Sequence, residues 1–230
     1  MSQSSTRQAK LDHIARSGIR LAMALLVLSV PLTANASLIT NGSFEAPDVP
    51  TGGFGLFAAI PGWTNWFGTV PLEIQDHVAG SPFDGDQFLE MDSTGGSSLF
   101  QGFATVAGGI YDFSFAYSPR PGVSAADNAV RVYWCPNGFC SLLDVLSEDG
   151  VGLSDTAWAT HSFSVTASGS ISYIGFIDEG FFNAAVSNSL GGYLDAVDVS
   201  PAVPEPGTVG VLGLGLAGMA LAARRRARRS

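Results

Sequence analysis

The stretch GIYDFSFAYS, residues 109–118, places an aromatic ring at every second position: Tyr111, Phe113, Phe115 and Tyr117. Ile110, Asp112, Ser114 and Ala116 stand between them. A side-chain period of two belongs to a strand, and a helix would scatter those four rings around its circumference. The same alternation returns in NAVRVYW (128–134), where Val130, Val132 and Trp134 oppose Arg131 and Tyr133. It returns again in THSFSVT (160–166), where His161, Phe163 and Val165 oppose serines and threonines. Further strands are expected over 71–77, 87–92, 98–106, 139–147, 170–178 and 191–199. Turn-forming clusters such as SPFDGD, SPRPG and ASGS separate them. Charged residues make up only 13% of the chain against 28 glycines, and no segment between the ends has helical periodicity. About ten short strands in one segment of this size predict an all-β fold, a jelly-roll β-sandwich.

Charge divides the chain differently. Of the 11 Lys and Arg residues, four lie before residue 21 and five after residue 223. Segment 37–200 holds 18 acids against only Arg120 and Arg131, a net of −16. Such a surface repels nucleic acid, whose binding needs clustered bases, and it attracts cations. At the N-terminal end a basic flank precedes the apolar run LAMALLVLSVPLT (21–33), which is too short to span a bilayer core of about 30 Å. ANA (34–36) then offers small residues at the positions a signal peptidase reads, so 1–36 is expected to be a signal peptide. At the other end, Pro204, Glu205 and Pro206 close a short linker (201–206) ahead of an apolar, glycine-rich run, 207–223. As a helix that run would reach about 25 Å, the low end of spanning length. The arginines of 224–230 would stay cytoplasmic by the positive-inside tendency. The sequence thus predicts a β-sandwich domain, 37–200, exported and held at the inner membrane by a C-terminal transmembrane helix.

Inside the domain, Cys135 and Cys140 frame CPNGFC, whose Pro-Asn-Gly favours a tight turn. A disulfide across a hairpin tip is the expected state in an oxidising compartment. Trp63, Trp66 and Phe67 cluster in PGWTNWFG. Trp63 is expected to fill the core beneath this loop. Trp66, Asn65 and Phe67 are candidates for a glycan platform, with rings to stack on sugars and an amide to bind hydroxyls. Trp158 is expected in the core of a strand, while Trp134 suits packing on the disulfide or facing a ligand. Arg120 suits an internal salt bridge or, as a glycan-binding candidate, an acidic sugar. No GxSxG, HExxH or P-loop motif occurs, and His77 and His161 are the only histidines of the domain. With 18 acids present, pairs of carboxylates arise by chance, so no catalytic residue is singled out.

Two resemblances add to this reading. VPEP, an apolar span and RRRARR together resemble the PEP-CTERM sorting signal of Gram-negative bacteria. That resemblance implies processing by an exosortase, a membrane-embedded cysteine protease, and delivery to the cell surface or the extracellular polysaccharide matrix. In the domain, LITNGSFEAP, IPGW, LEIQ, GDQFLEMD, NAVRVYW and GGYLDAVDVS follow in order. The series resembles a DUF642-type, galactose-binding-like jelly roll related to carbohydrate-binding modules. The resemblance implies a non-catalytic protein of walls or matrices, a lectin-like sugar site as the alternative and a polysaccharide hydrolase as a weaker one. It also implies a structural Ca²⁺ between the first and last strands, where Asn41, Glu45 and Asp195 offer hard oxygen ligands. The same acids can equally serve as ordinary surface or hydrogen-bonded turn residues.

Overall fold

The computed structural model describes residues 36–67 and 69–202, together with Gly215. The expected signal peptide (except Ala36), the Pro-Glu-Pro triplet, the rest of the apolar run and the basic tail lie outside the described residues. Among the described residues no helix is long and apolar enough to cross a membrane.

Twelve strands form two six-stranded sheets. The first sheet runs β1 (Phe54–Phe57), β4 (Leu72–Gln75), β5 (Phe88–Glu90), β12 (Tyr193–Pro201), β7 (Ile110–Ser118) and β10 (Ala159–Thr166) from edge to edge. The second runs β2 (Ala59–Ile60), β3 (Trp63–Asn65), β6 (Ser98–Ala104), β11 (Ile171–Asp178), β8 (Val130–Pro136) and β9 (Ser141–Leu146). Every pairing is antiparallel. From β5 onward the chain crosses between the sheets at every step but the β8–β9 hairpin, as in a jelly roll. β4 to β12 fall where the sequence predicts strands. β1, β2 and β3 are additions, each of four residues or fewer, and lie in a stretch where no alternating run was read.

The core follows from the alternation. Phe113 and Phe115 of β7, Leu72 and Ile74 of β4, and Leu194 and Val199 of β12 face inward from the first sheet. Leu99, Val132, Trp134, Ile174 and Phe176 meet them from the second. Phe176 joins the layers, with its ring 5.0 Å from Phe115 and 6.3 Å from Trp63. Truncating so enclosed a ring costs about 3–5 kcal/mol. Trp63 is buried as expected, and its indole N–H donates to the Asn41 carbonyl at 3.0 Å. The opening segment is thereby fastened to the core. Leu38 N–H also donates to the Val199 carbonyl, and Val197 N–H to that of Gly42, which lays the segment along β12. β12 breaks register between Asp195 and Asp198, where Ala196 takes a φ of 47°, as bulges in strands do.

Two tryptophans depart from expectation. Trp158 precedes β10 and is only half-buried; its indole donates to the Ser81 carbonyl and its edge meets Phe88, which points away from the core. Trp158 therefore covers the outside of the first sheet. Trp134 neither packs on the disulfide nor faces solvent, because the β8 alternation turns it inward, where its N–H donates to the Thr166 carbonyl.

Candidate functional site

Strand alternation gives each sheet an outward face, and that of the second sheet is aromatic. Register places Phe100 of β6 beside Gly175 of β11 and Tyr133 of β8, with Gly102, Tyr173 and Cys135 forming the next row. The two glycines act as slots. A Cβ on Gly175 would lie 2.3 Å from Cζ3 of Trp66, and one on Gly102 would lie 2.5 Å from Cε1 of Tyr173. The Trp66 indole therefore rests directly on the backbone of β11. Phe100 and Tyr133 flank it at 5.9 and 5.7 Å, and Phe67 stacks on it at 5.2 Å with only 13° between planes. Ser98 fixes the segment: its carbonyl accepts from Trp66 N–H and its hydroxyl oxygen from Phe67 N–H.

The rings continue beyond Phe67. Phe181 lies 5.5 Å from Phe67, Phe182 5.1 Å from Phe181, and the Arg131 guanidinium sits 4.4 Å over Phe182. Arg131 also binds Glu179 through two N–H···O bonds of 2.7 and 3.0 Å, which hold the Glu179 carboxyl below its ordinary value. Trp66, Phe100, Tyr173, Cys135, Gly138 and Cys140 enclose a depression of ≈ 280 Å³. A second hollow, between Gly102, Ala104 and Ile171, shares Tyr173 with it. The Cys135–Cys140 disulfide is formed. Asn137 and Gly138 take φ values of 55° and 82° at the hairpin tip, the tight primed turn that Asn-Gly favours. Phe139 projects from that tip, 83% exposed.

Two glycan candidates do not join this face. Asn65 turns its amide inward, donating to the Val70 carbonyl and accepting from the Ser98 hydroxyl, so it positions the loop. Arg120 lies at the first sheet, ion-paired with buried Glu90 and 5.9 Å over Tyr193. Gln75 bridges Glu90 and Glu73 through its amide nitrogen. The guanidinium pairs with Glu90, and Glu73 joins the group through the shared Gln75 amide. Burial, partly offset by Arg120 and reinforced by Glu73, pushes Glu90 up to about 8. Phe100, Tyr133 and Tyr173 belong to this aromatic face, and the sequence reading did not single them out.

The carboxylates of Glu45 and Asp195 do converge on one loop, as a jelly roll predicts. Asp195 Oδ2 accepts from the amides of Phe83 and Asp84, and Glu45 Oε1 from those of Asp86 and Gln87. Burial, opposed by those amides, raises Asp195 to about 7. Asn41 instead folds its side chain back on Ala46, donating to that residue's carbonyl and accepting from its N–H. Among the described residues no group of three or more His, Cys, Asp or Glu side chains is arranged to hold a metal. As they stand, Glu45 and Asp195 form a hydrogen-bonded latch on the 83–87 loop. Both histidines are engaged: His161 stacks 5.4 Å from Phe115, and His77 pairs with Asp76 at 2.5 Å.

Residues 202–226 match the PEP-CTERM protein-sorting motif. The motif marks the chain for export and membrane-anchored sorting, and it takes in Pro204, Glu205 and Pro206. No curated protein matches the sequence. Several solved carbohydrate-binding modules share its outline. TmCBM61, solved with β-1,4-galactotriose, is 11% identical, covers 73% of this chain and 99% of its own, and has a TM-score of 0.43. CBM35 from Paenibacillus barcinonensis is 14% identical over 65% of this chain and 99% of its own, with a TM-score of 0.40. A family 16 carbohydrate-binding module is 14% identical over 70% and 98%, at 0.43. These likenesses assign no ligand to this chain.

Proposed function

We propose that this chain is an exported, non-catalytic surface protein that holds extracellular polysaccharide against the outward face of its second sheet. Signal peptidase and an exosortase would trim its two ends and release it to the cell surface or matrix. The observation that carries the reading is the seating of Trp66 over Gly175 among Phe100, Tyr133 and Tyr173. Large exposed aromatic patches are costly in water and mark binding surfaces. A pyranose ring offers an apolar C–H face of weak positive potential, which suits the negative face of an indole or phenol. The depression beside Trp66 adjoins the hollow at Gly102, Ala104 and Ile171 through Tyr173, space for more than one sugar ring. Affinity electrophoresis through polysaccharide gels, the producing cell's own included, tests the proposal. Retardation by at least one polysaccharide is expected, and Trp66→Ala should abolish it while the chain still unfolds in a single cooperative transition. Retardation that survives Trp66→Ala, or none with any polysaccharide, overturns it.

A further inference from the structure

A second acidic site lies away from the loop latch. Asp92 follows β5 and Asp178 ends β11; they are 0% and 1% exposed. Each is anchored through one oxygen only. Asp92 Oδ2 accepts from the amides of Asn188 and Ser189, and Asp178 Oδ1 from that of Gly180. Asp92 Oδ1 and Asp178 Oδ2 are buried and have no hydrogen-bond partner.

The surrounding backbone draws the two together. Asp178 N–H donates to the Ser97 carbonyl and Ser97 N–H to that of Met91, beside Asp92. Gly96 N–H donates to the Ser187 hydroxyl, and a Cβ on Gly180 would lie 3.0 Å from the Ser187 Cα. Three segments thus meet around the pair. Asp127 stands at the rim, where Asn188 and Ser124 donate to its carboxylate. Among the described residues the basic side chains are Arg120, paired with Glu90, and Arg131, paired with Glu179. Neither compensates Asp92 or Asp178.

Two buried carboxylates without a cation carry a large desolvation cost. Amides that orient one oxygen while leaving the other bare are the usual outer support of a metal ligand. We infer that Asp92 and Asp178 together bind a divalent cation of the calcium class, each through its unpartnered oxygen. Hard oxygen donors and irregular backbone nearby suit Ca²⁺ better than Mg²⁺, which demands near-octahedral geometry and keeps its waters.

Equilibrium dialysis of the full-length, EDTA-stripped chain against ⁴⁵Ca²⁺ tests this. Saturable binding of about one ion per chain is expected. At a hundredfold excess over Kd the melting temperature should rise by about 5 °C or more. Asp92→Asn and Asp178→Asn should each weaken binding by at least about tenfold, while Glu45→Gln retains it. No saturable binding up to about 10 mM Ca²⁺, well above the usual range for calcium sites, overturns the inference and leaves a shared proton as the compensation. Binding lost in Glu45→Gln but kept in both aspartate variants places the ion at the latch and also overturns it. Should either aspartate variant fail to fold, amide exchange in the unaltered chain reads the same site. Ca²⁺ must then slow exchange at Asn188 and Ser189 more than at Asp86 and Gln87; equal slowing overturns the assignment.

Discussion

The two sheets share one core but present opposite outer faces. On the second, Phe100, Tyr133, Tyr173 and Trp66 form a partly exposed aromatic surface. On the first, Glu73, Glu90 and Tyr193 lie side by side in register, all buried, with Arg120 against them. The difference lies in what covers each face. Over the first sheet, Ser81 and Asp155 hold two loops together by hydrogen bonds, and Trp158 packs on Phe88. Among the described residues, no such cover crosses the Trp66 depression. A closed polar face must satisfy its charges internally and so contributes rigidity. An open aromatic face leaves apolar area for a partner. One side of the sandwich is therefore closed and polar, the other open and aromatic.

That contrast can be broken by substitution, starting with the largest effect. Arg120→Ala should lower unfolding free energy by about 3–5 kcal/mol at pH 9, where Glu90 must ionise unpaired. At pH 5 the loss should be smaller, because Glu90 then keeps its proton. The unaltered chain has the matching trend. Glu90 binds its proton more tightly folded than unfolded, so its contribution is complete below about pH 4.5 and fades as pH rises through about 8. Urea titrations at several pH values read both effects, and polysaccharide retardation should not follow them. Replacing Cys135 and Cys140 by serine should cost about 2 kcal/mol, since the bridge closes only a short loop. Gly175→Ala should displace the Trp66 ring at about 1–3 kcal/mol of stability and sharply reduce retardation. An unchanged Trp66 fluorescence maximum, read with the other tryptophans replaced by phenylalanine, would contradict the slot. Smallest is Phe139→Ser, within about 0.5 kcal/mol on a melt, because that ring already stands in solvent.

The alternation of β7, β8 and β10 is plain in the sequence because large rings and small polar residues take turns there. β2 and β3 were hidden by length, and Pro61-Gly62 between them looks like any turn. Trp66 and Phe67 stood out in the sequence because they cluster outside a strand, and both lie on the aromatic face. Phe100, Tyr133 and Tyr173 were not, since each sits in its own strand and only register aligns them. A signal did exist: Gly102 and Gly175 interrupt strands, where glycine marks close approach by another group. Arg120 was readable as an internal pair, but its partner Glu90 belongs to a strand 30 residues away. The latch at Asp195 depends on amides of the 83–87 loop, and no pattern of side chains encodes those.

The bond between Leu38 and Val199 brings the domain's entrance and exit to one spot, with the sorting motif starting at residue 202. The opening segment and the last strand therefore lie side by side at one seam of the first sheet. A cut made outside that seam opens neither layer. A fusion or an affinity tag joined there would likewise stay off the aromatic surface around Trp66.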